Sequence, residues 1–420
     1  MHLPFRGRLI IAVLSGASAA VLATAAAWAD PAPPYSILLE QAQARAPRVA
    51  EAAAEVDQAE GLARQGATRP NPTLGVEVEN VSGSGPFQGL RAAETTASAS
   101  QTLELGGKRQ ARVAAGRADV EAARARQRRS RSDFAFDLAD AYLEAEASEV
   151  RVRLAQDTLS LAEEDARIAD ALVRAGKEAD LRNLQARAGV EAARADLEAA
   201  RATRALALGK LTALSGAPVP ITAMTVGLLA HTDRQEQFAP PDPMASPAYL
   251  AALAAREAAA RRVRVEQARS APDVTVSVGV RRLAGDGATA LVGGVSMPFP
   301  VFDRNRGNIS AAQAELRGAD ARLNAARLDA EADARSAIGR IEAADARLRA
   351  TRQGEDAAQE AYRLTRLGYE GGKLPLSELL TARRGLTEAR ARTLDARLER
   401  LRAEAALARL RGAMPFGDQT

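Results

Sequence analysis

A chain that writes one unit twice is bound to fold as two copies of one structure, and this 420-residue sequence does so. The stretch "VRAGKEADLRNLQARAG" begins at Val173, and "YEGGKLPLSELLTARRG" begins at Tyr369. In each, a Gly-Lys pair, Gly176-Lys177 or Gly372-Lys373, interrupts a run rich in Ala, Arg, Glu and Leu that otherwise favours helix. At the same offset of 196 positions Ser100 to Leu105 is mirrored by Ser296 to Val301, and Lys108-Arg109 by Arg304-Asn305. Pro72 to Val78 matches Pro272 to Val278 at an offset of 200, so the first copy holds four extra residues between its two short apolar runs. The chain therefore divides into a leader (1–29), a first repeat (30–215), an irregular linker at mid-height (216–245), a second repeat (246–412) and a C-terminal tail (413–420).

Each repeat holds four kinds of element. A helix leads, Tyr35 to about Gln65 and about Ser246 to Arg269. Two strands follow, marked by alternation: Leu74, Val76 and Val78, then Val274, Val276, Val278 and Val280, with the returning strands near Thr95 to Leu105 and Ala288 to Val301. A very long helix comes next, about Lys108 to Ala175 and Gly307 to Glu370, each spanning about 100 Å at 1.5 Å per residue. Its apolar positions Leu143, Val150, Leu154, Leu161, Ile168 and Leu172 recur at heptad-like steps, the mark of a narrow coiled-coil seam. The rod breaks at Gly176 or Gly372 and a shorter helix returns, about Glu178 to Leu214 and Leu376 to Leu410, with Pro375 suited to the first turn. The return helix of copy one and the leading helix of copy two together answer one rod. Strands thus lie at one end and both tips at the other.

The N-terminus decides the compartment. Arg6 and Arg8 precede an apolar run from Leu9, and Ala27-Trp28-Ala29 is an A-x-A-like cleavage site, which predicts a secretory signal peptide. An exported chain without cysteine has neither disulfides nor a lipidated cysteine anchor. Loss of the leader removes two arginines and no acid, so the formal charge falls from +4 to +2. Acids and bases interleave along the helices as solvated faces, which argues against a nucleic-acid partner. No catalytic constellation, cofactor motif or metal site is expected: there is no H-E-x-x-H, Gly106-Gly107-Lys108-Arg109 lacks the spacing of a phosphate loop, and the histidines are His2 and His231 alone. The sequence is not that of an enzyme.

Four strands with one apolar face fit a bilayer-spanning pattern, yet four cannot close a barrel, and an open edge in lipid leaves backbone groups unpaired. A membrane-inserted chain must pool strands with copies of itself. Phe87, Phe299 and Phe302 are the aromatic residues near the hairpins that could mark the interface. The competing reading is a soluble periplasmic coiled-coil scaffold or adaptor with two small hairpins.

The leader, the duplicated unit and the glycine-marked tips resemble the TolC-type outer membrane efflux proteins over nearly the whole mature chain. Within them, "SQTLELGGKRQARV" (Ser100 to Val113) and "VSMPFPVFDRNRGNISAAQAEL" (Val295 to Leu316) resemble the heavy-metal, CzcC-like branch. The strand-to-helix joints are Gly106, Gly107 and Lys108 in copy one and Asp303, Arg304 and Asn305 in copy two; Asp303 and Asn305 are read as helix N-caps. The resemblance implies a mainly α protein with a transmembrane β part: a homotrimer whose pooled twelve strands form a barrel in outer-membrane lipid and continue into a periplasmic helical tunnel. It implies a passive conduit docking on a periplasmic membrane-fusion adaptor and an inner-membrane RND-type pump, with heavy-metal cations as cargo, or drugs or a polypeptide in the same architecture. It places Arg174, Gly176, Lys177, Asp180 and Leu181, with Gly372, Lys373, Leu376 and Glu378, at the periplasmic mouth. Glu378 matches an acidic gate position whose counterpart in copy one is Arg182.

Overall fold

The structure, a computed structural model, describes residues 30–224, 227–229 and 238–416. The leader, His231 and the last four residues lie outside the described residues. In chain order the first unit contains β1 (Asp30–Ala32), α1 (Tyr35–Arg45), α2 (Pro47–Gly66), β2 (Thr73–Glu79), β3 (Glu94–Leu103), α3 (Lys108–Arg174) and α4 (Asp180–Ser215). The linker holds β4 (Ile221–Met224) and a 3-10 turn at Pro243–Ala245. The second unit contains α5 (Pro247–Arg269), β5 (Val274–Leu283), β6 (Ala288–Ser296), α6 (Arg306–Glu370) and α7 (Leu376–Arg411). Among the described residues no helix is long and apolar enough to cross a membrane.

The rods α3 and α6 run 67 and 65 residues, about 100 Å each. They stay in contact with their neighbours largely through alanine: Ala115, Ala122, Ala162 and Ala169 on α3 and Ala312, Ala319, Ala330 and Ala337 on α6 are buried. Small side chains let backbones approach, so a thin layer one helix deep can hold together. In that layer α3 is flanked by α2 and α4 on one side and by α5 and α7 on the other, and α6 packs on α5 and α7.

Two expectations are corrected here. The leading helix of copy one is broken, because Pro47 cannot continue α1 and forces Ala46 into an extended conformation (ψ 124°) before α2 starts at Pro47. The half-length helices also stack differently. The end of α4 at Gly216 lies against Arg45 at the end of α1, and the end of α7 at Gly412 lies against Pro247 at the start of α5. Each return helix is therefore completed by the leading helix of its own copy, although the chain path itself rises through α4 and then α5.

Mid-height is where the core widens. Phe134, Leu138, Tyr142 and Leu143 of α3 pack with Leu38 and Leu39, Leu208 and Leu211, Ile221, Leu398, Leu401 and Phe416. The Tyr35 ring meets Tyr142 and Phe416 edge-on, both at 5.7 Å, and its hydroxyl donates to the Ala135 carbonyl at 2.9 Å. The linker is less irregular than its sequence suggests: β4 pairs parallel with β1, 191 positions away at Asp30 and Ile221. Next to it a carboxylate on the rod holds the linker in place. Both Glu146 oxygens accept from the Leu229 N–H, at 3.1 and 3.2 Å, and a Cβ at Gly227 would fall 1.6 Å from Glu146 Oε1.

The four long strands form one antiparallel sheet, ordered β2-β3-β5-β6. The extra length of the first hairpin is spent in its connection, residues 80–93, whereas β5 and β6 run on to a tight turn at residues 284–287. Cross-strand register puts Val76, Ala97, Val280 and Leu291 in one row and Glu77, Thr96, Arg281 and Ala290 in the next. The polar face is internally satisfied, since Arg281 donates to Glu94 at 2.9 Å and to Thr96 at 3.0 Å and pairs with Glu79 at 3.1 Å. The apolar face is bare: Leu74 is 85% exposed and Leu291 80%.

Burial pushes the Glu146 carboxyl up from 4.5 to about 7, against the pull of the Leu229 and Leu228 amides and Arg153. The folded chain thus holds that proton more tightly than the unfolded chain. Its stabilisation is full below about pH 4.5 and is lost as the pH rises through about 7. The midpoint of thermal unfolding should fall across that window, and Glu146→Gln should flatten this part of the profile when the two proteins are melted side by side.

Candidate entrance and strand-to-helix joints

Both tips close by the same backbone device. Gly176 (φ 70°) donates its N–H to Val173 O at 2.9 Å while Lys177 donates to Leu172 O at 3.0 Å. Gly372 (φ 68°) donates to Tyr369 O at 2.9 Å and Lys373 to Gly368 O at 2.8 Å. These paired bonds are the Schellman arrangement, which satisfies the last carbonyls of a helix and needs a left-handed residue that only glycine supplies without strain. A Cβ at Gly176 or Gly372 would meet open space, so conformation alone demands glycine there.

Most of the side chains expected at the mouth do lie on the surface of the tips. Arg174, Lys177, Asp180, Leu181, Lys373 and Glu378 are exposed, with Arg174 paired to Asp170 at 2.7 Å. Leu376 is the exception. It is fully buried in a core with Ala169, Ala186, Tyr362, Tyr369, Leu379 and Leu386, because the first turn of α7 folds inward. Leu376 therefore braces the tip, and Leu374, 38% exposed, is the apolar side chain that this tip presents. Asp180 and Glu378 occupy the first turns of α4 and α7, where a negative charge favours the helix dipole. Arg182, which stands at the position repeating Glu378, lies beside Glu178 at 3.8 Å.

Just behind the tips stands a polar cluster that the sequence analysis did not anticipate. Asp165 of α3 is fully buried; its carboxylate accepts from Arg383 of α7 at 2.9 Å and from the Tyr362 hydroxyl of α6 at 3.2 Å. Burial pushes this carboxyl up while Arg383 and Tyr362 pull it down. Glu164 and Arg366 add a second tie between α3 and α6, one of its two contacts at 3.0 Å. A signal existed: Asp165 falls between Leu161 and Ile168 on the apolar stripe, and Arg383 falls between Leu379 and Leu386 on the facing one. A charge on each of two facing stripes is most simply satisfied by the other.

The joints differ more than their sequence likeness implies. In the first, Gly106 and Gly107 are both left-handed, and a Cβ at Gly106 would lie 2.5 Å from that of Ala271. Asp273 at the start of β5 gathers the Leu105 N–H at 3.2 Å and Lys108 Nζ at 2.7 Å. Arg112 pairs with Glu104 and donates to the carbonyls of Gly66 and Thr68 at 2.9 and 3.1 Å. In the second joint the expected N-caps are not realised. Asn305 sits at the N-cap position, but its backbone is left-handed (φ 57°), its amide donates to Glu266, and its oxygen accepts from the Asn308 side chain at 2.6 Å. Asp303 accepts from Asn305 N at 2.8 Å, which shapes the turn ahead of the helix, while Arg304 donates to Pro300 O at 3.4 Å.

Comparison with known proteins bears on this architecture. A family described as "Outer membrane efflux protein" matches residues 38–217 and 245–413. The nickel-cobalt-cadmium resistance protein NccC of Alcaligenes xylosoxydans xylosoxydans is 43% identical over 405 residues, covering 96% of this chain and 92% of its own. The nickel and cobalt resistance protein CnrC of Cupriavidus metallidurans is 44% identical over 330 residues, covering 79% and 78%. Among solved structures, CusC superposes with a TM-score of 0.76 at 21% identity, covering 90% of this chain and 92% of that one.

Breaking the buried pair from one side should be costly. Arg383→Met leaves Asp165 an unpaired buried charge and is expected to lower stability by about 3–5 kcal/mol. D165N combined with R383M should recover most of that loss, as read from the thermal midpoint of the helical circular-dichroism signal in detergent.

Proposed function

The chain belongs to the outer membrane efflux protein family, and on that premise we propose that three copies form the outer conduit of a tripartite exporter of divalent heavy-metal cations. As a member of that family it is a channel component of efflux and not an enzyme. The observation that carries the reading is geometric. A four-stranded sheet with a bare apolar face and two unpaired edges stands at one end of rods about 100 Å long, and two glycine-closed tips stand at the other. An open edge is not tolerated in lipid, and eight or more strands are needed to close a barrel, so three copies with twelve strands satisfy both demands. The rods then reach across the periplasm and bring the tips to a membrane-fusion adaptor fed by an RND-type pump.

The cargo is inferred from the relatives' named resistances to nickel, cobalt and cadmium. The mouth is formed by Arg174, Lys177, Asp180 and Leu181 with Lys373, Leu374 and Glu378, and energy for transport is supplied elsewhere. The signal peptide at residues 1–29 directs export, and its removal leaves Asp30 at the start of β1.

Fractionated cells expressing the full-length chain should carry it in the outer membrane, with a mass of three copies by light scattering in mild detergent; a soluble periplasmic monomer would sink the conduit. Gly176→Val with Gly372→Val forces β-branched residues into a left-handed turn at about 1–2 kcal/mol each. That variant should still reach the membrane as a trimer. In cells supplied with the cognate adaptor and pump, it should lower nickel and cobalt tolerance to that of cells lacking the chain.

A further inference from the structure

The two strand-to-helix joints repeat each other in sequence, residues 100–105 against 296–301, yet they are tied into the protein very differently. In the first joint Leu103 still pairs with Val274 of β5, and the Leu105 N–H goes to Asp273 at 3.2 Å. Its cations are engaged as well, Lys108 by Asp273 at 2.7 Å and Arg112 by Glu104 at 3.0 Å. In the second joint the ladder between β5 and β6 ends at Thr275 and Ser296. The next six residues, 297–302, belong to no strand or helix.

That segment is apolar throughout. Met297, Phe299, Val301 and Phe302 are all exposed, Phe299 at 83% and Phe302 completely, and the two residues between them are prolines. Counting back by twos from Val301 passes Phe299, Met297 and Val295 and, beyond Gly293, reaches Leu291. The run thus prolongs the exposed apolar positions of β6 past the last ladder pair. Four large apolar side chains gathered in six uncovered residues mark a surface made for apolar surroundings.

The backbone is adapted to the same surroundings. Pro298 and Pro300 have no N–H to leave unpaired, and the Val301 N–H donates to the Phe299 carbonyl at 2.8 Å. Thr102, the counterpart of Pro298, lies opposite Thr275 in the ladder, where a proline would remove a ladder donor. Directly after the apolar run stand Arg304 and Arg306, both exposed and, among the described residues, without a carboxylate partner. Asp303 beside them accepts from the Asn305 N–H at 2.8 Å. An apolar run edged by arginines matches the boundary where acyl chains give way to phosphates.

We propose that residues 297–302 form a wedge in the periplasmic leaflet of the outer membrane, with Phe299 and Phe302 among the upper acyl chains and Arg304 and Arg306 at the phospholipid phosphates. Lipid is the occupant because the segment continues the sheet face that meets lipid and has shed the backbone donors that water would satisfy. The inference rests on the barrel proposed above and adds a contact that its strands do not make. Wedges at the level where the rods begin set the depth of the barrel, and with it the reach of the tips.

Trp28, the one tryptophan of the sequence, lies in the leader, so a tryptophan introduced elsewhere reports alone once the leader is removed. F302W, L291W and L181W, all at exposed positions, are expressed full-length, purified and reconstituted. The vesicles are phosphatidylethanolamine and phosphatidylglycerol with phosphatidylcholine brominated either near the headgroup or near the chain ends. L291W, near the middle of β6, should lose emission most to the deep bromines. F302W should lose it most to the shallow bromines and little to aqueous iodide, while L181W on a tip answers to iodide alone. If F302W answers to iodide, or to neither quencher, while L291W answers to lipid, the wedge is overturned and the barrel stands. If L291W answers to iodide alone, the barrel falls and the wedge with it. With R304Q and R306Q added, F302W should become more open to iodide; an unchanged signal overturns the phosphate contact.

Discussion

Backbone hydrogen bonding at a sheet edge is the constraint on which the molecule turns. β2 and β6 each expose a row of amides and carbonyls, and the sheet between them carries a bare face of Leu74, Val76, Val278, Val280 and Leu291. In water such an edge invites aggregation, and in lipid it leaves groups whose desolvation costs several kcal/mol apiece. No element of this chain covers either edge among the described residues. The helical layer has the same topology, open at α4 with α2 on one side and at α6 on the other. A sheet and a helical layer that stop at the same two seams are parts of one wall.

Two kinds of interaction hold the wall once it is built. Along most of their length the rods touch through alanine, which brings backbones close but specifies little about register. Register is fixed at a few places where polar groups are buried: Glu146 against Leu229 at mid-height, and Asp165 against Arg383 and Tyr362 behind the tips. Buried ion pairs are a weak source of net stability because desolvation offsets attraction. Their value here is discrimination: a rod that slides by one turn against an alanine stripe loses little packing, but it strands a carboxylate.

Much of this was legible in the sequence, and the reasons are local. Alternation gave the strands, alanine-rich runs gave the rods within a residue or two, and Gly176 and Gly372 gave the tips, since each signal acts within a few neighbouring residues. What stayed hidden depends on partners far along the chain. β1 and β4 are three and four residues long and pair only with each other, too short for any periodicity to mark. Asn305 had the composition of a cap, but Glu266 and Asn308 competed for its side chain. Leu376 looked like a tip residue by position, and the inward first turn of α7 took it into the core. Pro47 marks a helix breaker, yet the helix-favouring composition from Tyr35 to Gln65 runs on through it and hides the break. Membership of the family came from the combined pattern of tips, strands and joints; the locks behind the tips had to come from three-dimensional packing.

Carrying both copies on one chain also removes the need for them to stay alike. The first tip presents Asp180 and Leu181 above an exposed Leu184, while the second hides Leu376, offers Leu374 and places Glu378 one turn along. In the proposed ring of three copies these two unlike surfaces would alternate, so a single partner surface could not meet both tips through the same contacts, and each tip is free to change without the other.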